Sequence, residues 1–388
     1  MSLFLFAFFT VYGSMHLYFF LKLRHAFSSL PTWFLFLPAC FLALMFLSPI
    51  LIHVIETYRQ DGFTRFFART TYLWMGFIFL FFCLSLTGDL CYAVSRLTGV
   101  FSGGTPLIPF PTAKTLFLGC SAMAVLICLY GFYEAHSIKI ERLLVKSVKI
   151  PPDIERFRIV QISDLHLGIT SSPKQINRIV DAVEQTNPDL LVCTGDMMDG
   201  QPDSFAAQLE SFHRLNPPWG KYAITGNHEF YVGLERAISW LKWAGFRVLR
   251  GQTVNINRFL TLAGVDDHEA FHLWPSSAKR TSNPVVKATP SRFILLLKHR
   301  PVVDPESISM ADLQLSGHTH KGQIFPFGLL TRLFFPYHSG HYTLTNGFQL
   351  YVSRGTGTWG PPIRVLAPPE ITVIDLVPAN QRHFQGDD

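Results

Sequence analysis

Charge is scarce in this chain. Asp, Glu, Lys and Arg make up 15% of its 388 residues, against about 25% in an average soluble protein. Hydrophobic residues reach 48%, with 36 phenylalanines. That composition excludes a disordered chain and an ordinary soluble globule. Cysteine is sparse as well, with six in all. Cys40, Cys83, Cys91, Cys120 and Cys128 lie in the apolar first part and only Cys193 lies beyond it, with no Cys-x-x-Cys pair. This leaves no disulfide scaffold or zinc–thiolate site to build. The net charge of +6 comes from scattered Lys and Arg. A basic stripe interleaved with aromatics is missing, so no nucleic-acid partner is expected.

The apolar residues are concentrated at the start. Runs at about 3–21, 33–55, 72–94 and 115–133 each approach the roughly 20 residues that a membrane-crossing helix needs. No basic residues precede the first run and three more runs follow it, which argues against a cleaved signal peptide. Pro31 and the stretch GGTPLIPFP at 103–111 mark turns between runs. Arg59, Arg65 and Arg69 follow the second run; Lys139, Arg142, Lys146 and Lys149 follow the fourth. The remaining loops carry Lys22 with Arg24, and Arg96 with Lys114. This bias predicts cytoplasmic termini and a cytoplasmic polar domain. His53, Glu56 and Asp89 lie near run ends and read as interfacial side chains rather than a proton relay. The expected organisation is a four-helix membrane anchor at 1–136, a basic linker at 137–155, a catalytic domain at 156–378 and a polar tail at 379–388.

From residue 156 the pattern alternates. FRIVQI at 157–162 reads as a buried strand. A helix is predicted at 173–186, with Ser172 as N-cap and Pro173 in its first turn. Further strands are predicted at 190–194, 222–225, 246–249, 260–264, 293–297, 313–315, 351–353 and 371–376. Helices are predicted at 204–215 and 234–244, the latter ended by Gly245. Strands alternating with helices first, then strands close together, predict an α/β domain of two packed mixed sheets flanked by helices.

Five polar clusters each follow a predicted strand: Asp164-Leu165-His166, Gly195-Asp196, Gly226-Asn227-His228-Glu229, His299, and Gly317-His318-Thr319-His320. The carboxyl ends of strands are where open α/β sheets place their sites. Two divalent ions about 3.5–4 Å apart call for a bridging anion, which a carboxylate supplies. Imidazole with carboxylate and amide oxygen suits manganese, iron or zinc. Asp164 and His166, like His318 and His320, are spaced so that both members can turn to one side of extended backbone. A lone histidine is more often a satisfied core residue, but His299 stands between Lys298 and Arg300 in the same order of clusters. Glu229 reads as a partner of a ligand, Asp199 as a turn residue, and Asp266 and Asp267 as structural. Arg354, inside Ser-Arg-Gly-Thr-Gly, is equally a candidate phosphate clamp and a loop residue.

In these blocks the chain resembles the calcineurin-like metallophosphoesterase family, whose pattern runs D-x-H, GD, GNH[DE], a lone His and GHxH, here spread over about residues 157–376. The resemblance implies a four-layer α-β-β-α sandwich and two divalent metal ions, manganese foremost, with iron and zinc as alternatives. One ion would take Asp164, His166, Asp196 and His320; the other would take Asp196, Asn227, His299 and His318, with Asp196 bridging. It implies hydrolysis of a phosphodiester or pyrophosphate bond by a metal-activated hydroxide. His228 would then stabilise the transition state or protonate the leaving oxygen.

The GHTHKGQ and GTGTWGPP segments at 317–323 and 355–362 look similar to a membrane-anchored bacterial branch of that family. That branch includes predicted phosphodiesterases and a UDP-2,3-diacylglucosamine hydrolase, and it implies an inner-membrane location. Two apolar-aromatic patches, IFPFGLLTRL at 324–333 and FHLWP at 271–275, either cover the core or meet a lipid interface. The partners expected are a phosphorylated substrate, lipid-linked on the second reading, and membrane lipid. A soluble phosphorylated substrate is the alternative. The alternative of another class is a membrane sensor or scaffold whose phosphoesterase domain only binds; loss of a ligand would favour it, and none is missing.

Overall fold

A computed structural model describes residues 2–101, 110–200, 205–269 and 291–379. The patch at 271–275, nearly all of the turn at 103–111 and the tail beyond residue 379 lie outside them. The chain forms two compact units, 1–133 with 360–363, and 134–359 with 364–388.

The first unit holds α1 (Ser2–Ala26), α2 (Phe36–Tyr58), α3 (Gly62–Phe101) and α4 (Ala113–Ala135). All four are long and apolar enough to cross a membrane. Three of the expected runs fall inside them, and the second begins in the 3-10 turn Thr32–Leu35 just ahead of α2. α3, at 40 residues, runs about 60 Å and exceeds its run at both ends. Asp89 is more than an interfacial side chain. It accepts a hydrogen bond from Tyr18 at 2.6 Å and pairs with Lys22, tying α3 to α1. His16 and Trp74 join the same two helices at 3.0 Å. Interhelical hydrogen bonds of this kind fix neighbours where burial of apolar surface gives no preference.

The second unit is built on two six-stranded mixed sheets. The first sheet contains β1 (Lys139–Ser147), β2 (Phe157–Ile162), β3 (Leu190–Cys193), β4 (Lys221–Ala223), β5 (Arg247–Val248) and β12 (Glu370–Pro378), in the order β1-β12-β2-β3-β4-β5. The second contains β6 (Gln252–Asn255), β7 (Leu260–Gly264), β8 (Phe293–Leu297), β9 (Leu313–Ser316), β10 (Gly340–Thr343) and β11 (Gln349–Val352), in the order β10-β11-β9-β8-β7-β6. Strands β2 to β5 are mutually parallel, as are β7, β8, β9 and β11.

Side chains alternate across each strand. Phe157 and Ile159 of β2, Leu190 and Val192 of β3, and Phe293, Leu295 and Leu297 of β8 meet in the core between the sheets. Val160, Ile162, Leu191 and Cys193 face the other way, onto α5 (Pro173–Gln185), α6 (Phe205–Leu209), the end of α7 (Asn227–Val232) and α8 (Leu234–Trp243). α5 shows why it sits there. Ser172 accepts the Gln175 N–H as N-cap, Pro173 needs no partner for its nitrogen, and Ile176, Ile179, Val180 and Val183 form one buried stripe. The outer face of the second sheet packs Phe348, Leu350 and Val352 against Ile308 of α9 (Pro305–Met310). The order of layers is α-β-β-α, the fold class expected.

Three local expectations change. Residues 139–147 are no linker: they form β1, paired in parallel with β12 from Lys139 opposite Glu370 to Ser147 opposite Pro378. The helix predicted at 204–215 is a short α-helix followed by a 3-10 turn at Glu210–Arg214. The patch at 324–333 contains a helix, α10 (Phe327–Phe334), none of whose residues is buried.

Candidate metal centre

The five clusters leave five strand ends: Asp164 after β2, Asp196 after β3, Asn227 after β4, His299 after β8 and His318 after β9. Both sheets thereby point ligands at one place. Asp164, His166, Asp196, His318 and His320 all have positive φ, between 48° and 71°. Left-handed backbone is uncommon for residues with a Cβ and gathers at functional sites. It lets the chain reverse within one residue and return a side chain to the strand end.

Glycine is required beside these residues for space. A Cβ on Gly226 would lie 2.1 Å from Oδ1 of Asp196, and one on Gly317 would lie 2.1 Å from Oδ2 of Asp164. These two clusters begin with Gly because a carboxylate occupies the Cβ position, whereas Gly195, at φ 95°, lies against the Gly226 backbone and the His299 ring.

Three groups of ligand atoms result: Asp164 with His166 and His320, Asp196 with His299 and His318, and His166 with Asp196 and His228, which lies between the first two. Nε2 of His166 and Nε2 of His320 are 3.0 Å apart, and Nε2 of His320 is 3.5 Å from Oδ1 of Asp164. Nδ1 of His318 is 3.2 Å from Nε2 of His299. Two ligands about 2.1 Å from one ion, at right angles, stand about 3.0 Å apart, so these separations suit a shared cation. Oδ2 of Asp196 faces the first two groups, 3.2 Å from Nε2 of His299 and 3.9 Å from Nε2 of His166. Its other oxygen accepts the His228 N–H at 2.9 Å. Asp196 therefore stands where a bridging carboxylate must.

Two details test whether a metal fits. Nδ1 of His299 donates to the Thr194 carbonyl at 2.8 Å, which leaves Nε2 with its lone pair toward the centre. Oδ1 of Asn227 is buried without a hydrogen-bond partner among the described residues, a costly state for an amide oxygen unless a cation takes it. The donor set fits a pair of divalent ions.

The electrostatics divide the histidines. Burial opposes the charge on His299, but Asp196 pushes its imidazole up to about 10; a cation at Nε2 would displace that proton. Burial is the largest influence throughout. It holds His166 down to about 4 and His318 down to about 3, so both are neutral ligands at neutral pH. Burial would raise Asp196, but His299 and His228 outweigh it and hold the carboxyl well below its usual range. Burial opposes the charge on His228 too, yet Asp199 and Asp196 push its imidazole up to about 9.

The supporting residues are placed as follows. Glu229 is fully buried and accepts the N–H groups of Gly226, Asp196, Met197 and Met198 at 2.7–3.3 Å. It ties the Gly-Asp turn to the Gly-Asn-His-Glu turn. Asp266 accepts from Thr225 and Arg250, and Asp267 grips Arg300 with both oxygens at 2.9 Å, so both are structural. Arg354 is engaged elsewhere. It pairs with Glu370 at 2.8 Å, with Glu141 and with the Pro368 carbonyl, and joins β1 to β12 instead of clamping a phosphate.

Two residues were not anticipated in these roles. Oδ1 of Asp199 meets Nδ1 of His228 at 3.1 Å; its spacing of three from Asp196 was the available signal. Arg364, completely buried, donates to the carbonyls of Arg354, Gly355, Gly357 and Ala367 and lies 3.3 Å from Nδ1 of His320. A lone Arg in the apolar stretch GPPIRVLAPP was its only trace. The rim is aromatic: Phe335 stacks edge-on at 5.1 Å from the His318 ring, and Tyr231 and Trp359 lie 5.4 and 5.9 Å from His228.

Paired imidazoles sharing one carboxylate at the ends of two packed sheets form a candidate dimetal centre on an α/β fold. Residues 157–322 match the calcineurin-like phosphoesterase family. An uncharacterized metallophosphoesterase of Aquifex aeolicus is 38% identical over 255 residues, 66% of this chain and 97% of that protein. A Danio rerio transmembrane protein with metallophosphoesterase domain is 31% identical over 312 residues, 77% of this chain and 70% of that protein. The uncharacterized metallophosphoesterase YkuE of Bacillus subtilis is 33% identical over 272 residues, 65% and 91% respectively. The chain belongs to the calcineurin-like metallophosphoesterase family.

Proposed function

We propose that this protein is a membrane-anchored dimetal phosphoesterase that hydrolyses a phosphodiester or pyrophosphate bond in a lipid-linked substrate, of the kind that UDP-2,3-diacylglucosamine represents. The observation that carries the reading is Asp196 Oδ2 facing two sets of ligand nitrogens. When bound, two ions of the manganese, iron or zinc type, manganese foremost, would polarise the phosphoryl group and activate water. Asp164, His166, Asp196 and His320 would hold one, and Asp196, Asn227, His299 and His318 the other. His228, kept protonated by Asp199 and Asp196, would stabilise charge on the phosphoryl oxygens and deliver a proton to the leaving oxygen. Arg300 is neutralised by Asp267, so it adds little positive charge to the centre. The lipid-linked part of the reading is supported by the four apolar helices and the aromatic rim. The Lys and Arg bias around those helices supports an inner-membrane protein with its catalytic unit on the cytoplasmic side.

The test uses the full chain in detergent, loaded with Mn²⁺ and given a phosphomonoester, a phosphodiester and a lipid-linked pyrophosphate. Turnover of the last two above the first is expected. Metal-loaded protein that turns over none of the three refutes the hydrolase reading, and preference for a water-soluble ester refutes the lipid-linked part.

A further inference from the structure

The helix α10 is the least accounted-for part of the fold. It reads Phe-Gly-Leu-Leu-Thr-Arg-Leu-Phe, has no acidic residue and buries none of its eight positions. Leu329, Leu333 and Phe334 are 58%, 78% and 72% exposed, and Phe325 just before it is 49% exposed. An isolated eight-residue helix is not stable in water, yet this one is fastened firmly. A Cβ on Gly322 would come within 2.2 Å of Gly328, so the helix start is pressed against the turn that follows His320. Gln323 exchanges two hydrogen bonds with the Trp359 backbone at 2.8 and 2.9 Å, and Thr319 donates to the His338 carbonyl at 2.7 Å. Phe335, next after the helix, reaches the His318 ring. A rigid, exposed apolar helix coupled to ligand-bearing backbone is a docking device.

We infer that α10 inserts into the headgroup–acyl boundary of a lipid bilayer and holds the metal centre at the level of lipid phosphates. Three observations favour lipid over protein as the occupant. The same chain carries four helices able to cross a membrane. Only residues 136–138 separate α4 from β1, a tether that extends at most about 14 Å, so the catalytic unit cannot leave the surface. Leu and Phe around a single basic Arg332, without acids, is the composition of a helix lying in an interface. The inference rests on the membrane reading and is independent of the hydrolase reading.

The experiment uses the full chain in phosphatidylcholine–phosphatidylglycerol nanodiscs containing a phospholipid with a diazirine on its acyl chain. After irradiation, trypsin cuts behind Lys321 and Arg332 and isolates peptide 322–332. Lipid adducts on that peptide are expected, together with weak hydroxyl-radical labelling of Leu333 and Phe334. In Leu329→Asp/Leu333→Asp those adducts fall about tenfold or more, while adducts on α1–α4 persist and show the chain still inserted. Strong radical labelling without adducts overturns the inference. Protection without adducts also overturns it, and assigns the face to a second copy of the chain. Failure to turn over any phosphoester leaves the adduct result unaffected, so the two readings fail separately.

Discussion

The two oxygens of Asp199 face two different histidines: Oδ1 lies 3.1 Å from Nδ1 of His228, and Oδ2 lies 3.8 Å from Nδ1 of His166. One carboxylate thus orients the proposed proton donor and stands beside a proposed metal ligand without bonding to it. Asp199→Asn keeps the shape and removes the charge. kcat should fall about 10–100-fold with little change in metal content. The sign of the pH effect is fixed. Asp199 is among the groups that raise His228 from 6.5 to about 9, so its loss lowers the imidazole pKa and moves the alkaline limb of kcat to lower pH. A pH–rate profile and metal analysis of the variant check this; an unmoved limb would show that His228 is not the titrating group.

Glu229 receives four backbone N–H groups from two ligand turns. Glu229→Gln turns one acceptor oxygen into a donor aimed at an N–H. It should cost about 1–3 kcal/mol, which lowers the melting temperature by about 2–4 °C per kcal/mol. It should also weaken metal binding, because the bridging Asp196 belongs to one of those turns. Thermal unfolding followed by circular dichroism, with and without Mn²⁺, separates the two effects.

Gly226→Ala and Gly317→Ala place a methyl 2.1 Å from a ligand carboxylate. Both should lose bound metal while the sheets remain, since neither residue lies within a strand. Metal content together with the far-ultraviolet circular dichroism spectrum reads the outcome. Full metal content in either variant would show the carboxylate free to move.

Arg364 gathers the carbonyls of the loop that lies behind His320. Arg364→Met fills similar volume and leaves those carbonyls unpaired. The expected loss is about 2–4 kcal/mol. Arg364→Lys should recover only part of it, because one ammonium cannot reach as many acceptors as a guanidinium fork. Melting temperatures of the two variants test the order.

The interior strands were legible because burial on both faces turns them into apolar runs; β2, β7 and β8 fall where FRIVQI, LTLAG and FILLL predict them. β1 was not, because it is an edge strand. Lys-Ile-Glu-Arg-Leu-Leu-Val-Lys-Ser buries only Val145, and edge strands carry charge that resembles a linker. α10 was unreadable as a helix because its eight residues span little more than two turns, too few to set a period. The ligand positions were legible because each follows a strand directly. Arg354 was misjudged because its partners Glu141 and Glu370 sit on β1 and β12, 213 positions away in the first case. Asp199 and Arg364 act through contacts with His228 and with the backbone behind His320, which a spacing of three and a lone Arg in an apolar stretch signal only faintly.

The central claim is that Asp196 bridges two ions in one site. Electron paramagnetic resonance of the full chain at saturating Mn²⁺ tests it most directly, alongside metal analysis. The account predicts two ions per chain and the spectrum of an exchange-coupled pair, with the coupling lost in Asp196→Asn. Separate mononuclear signals from fully loaded wild-type protein, or a single ion per folded chain, would contradict it.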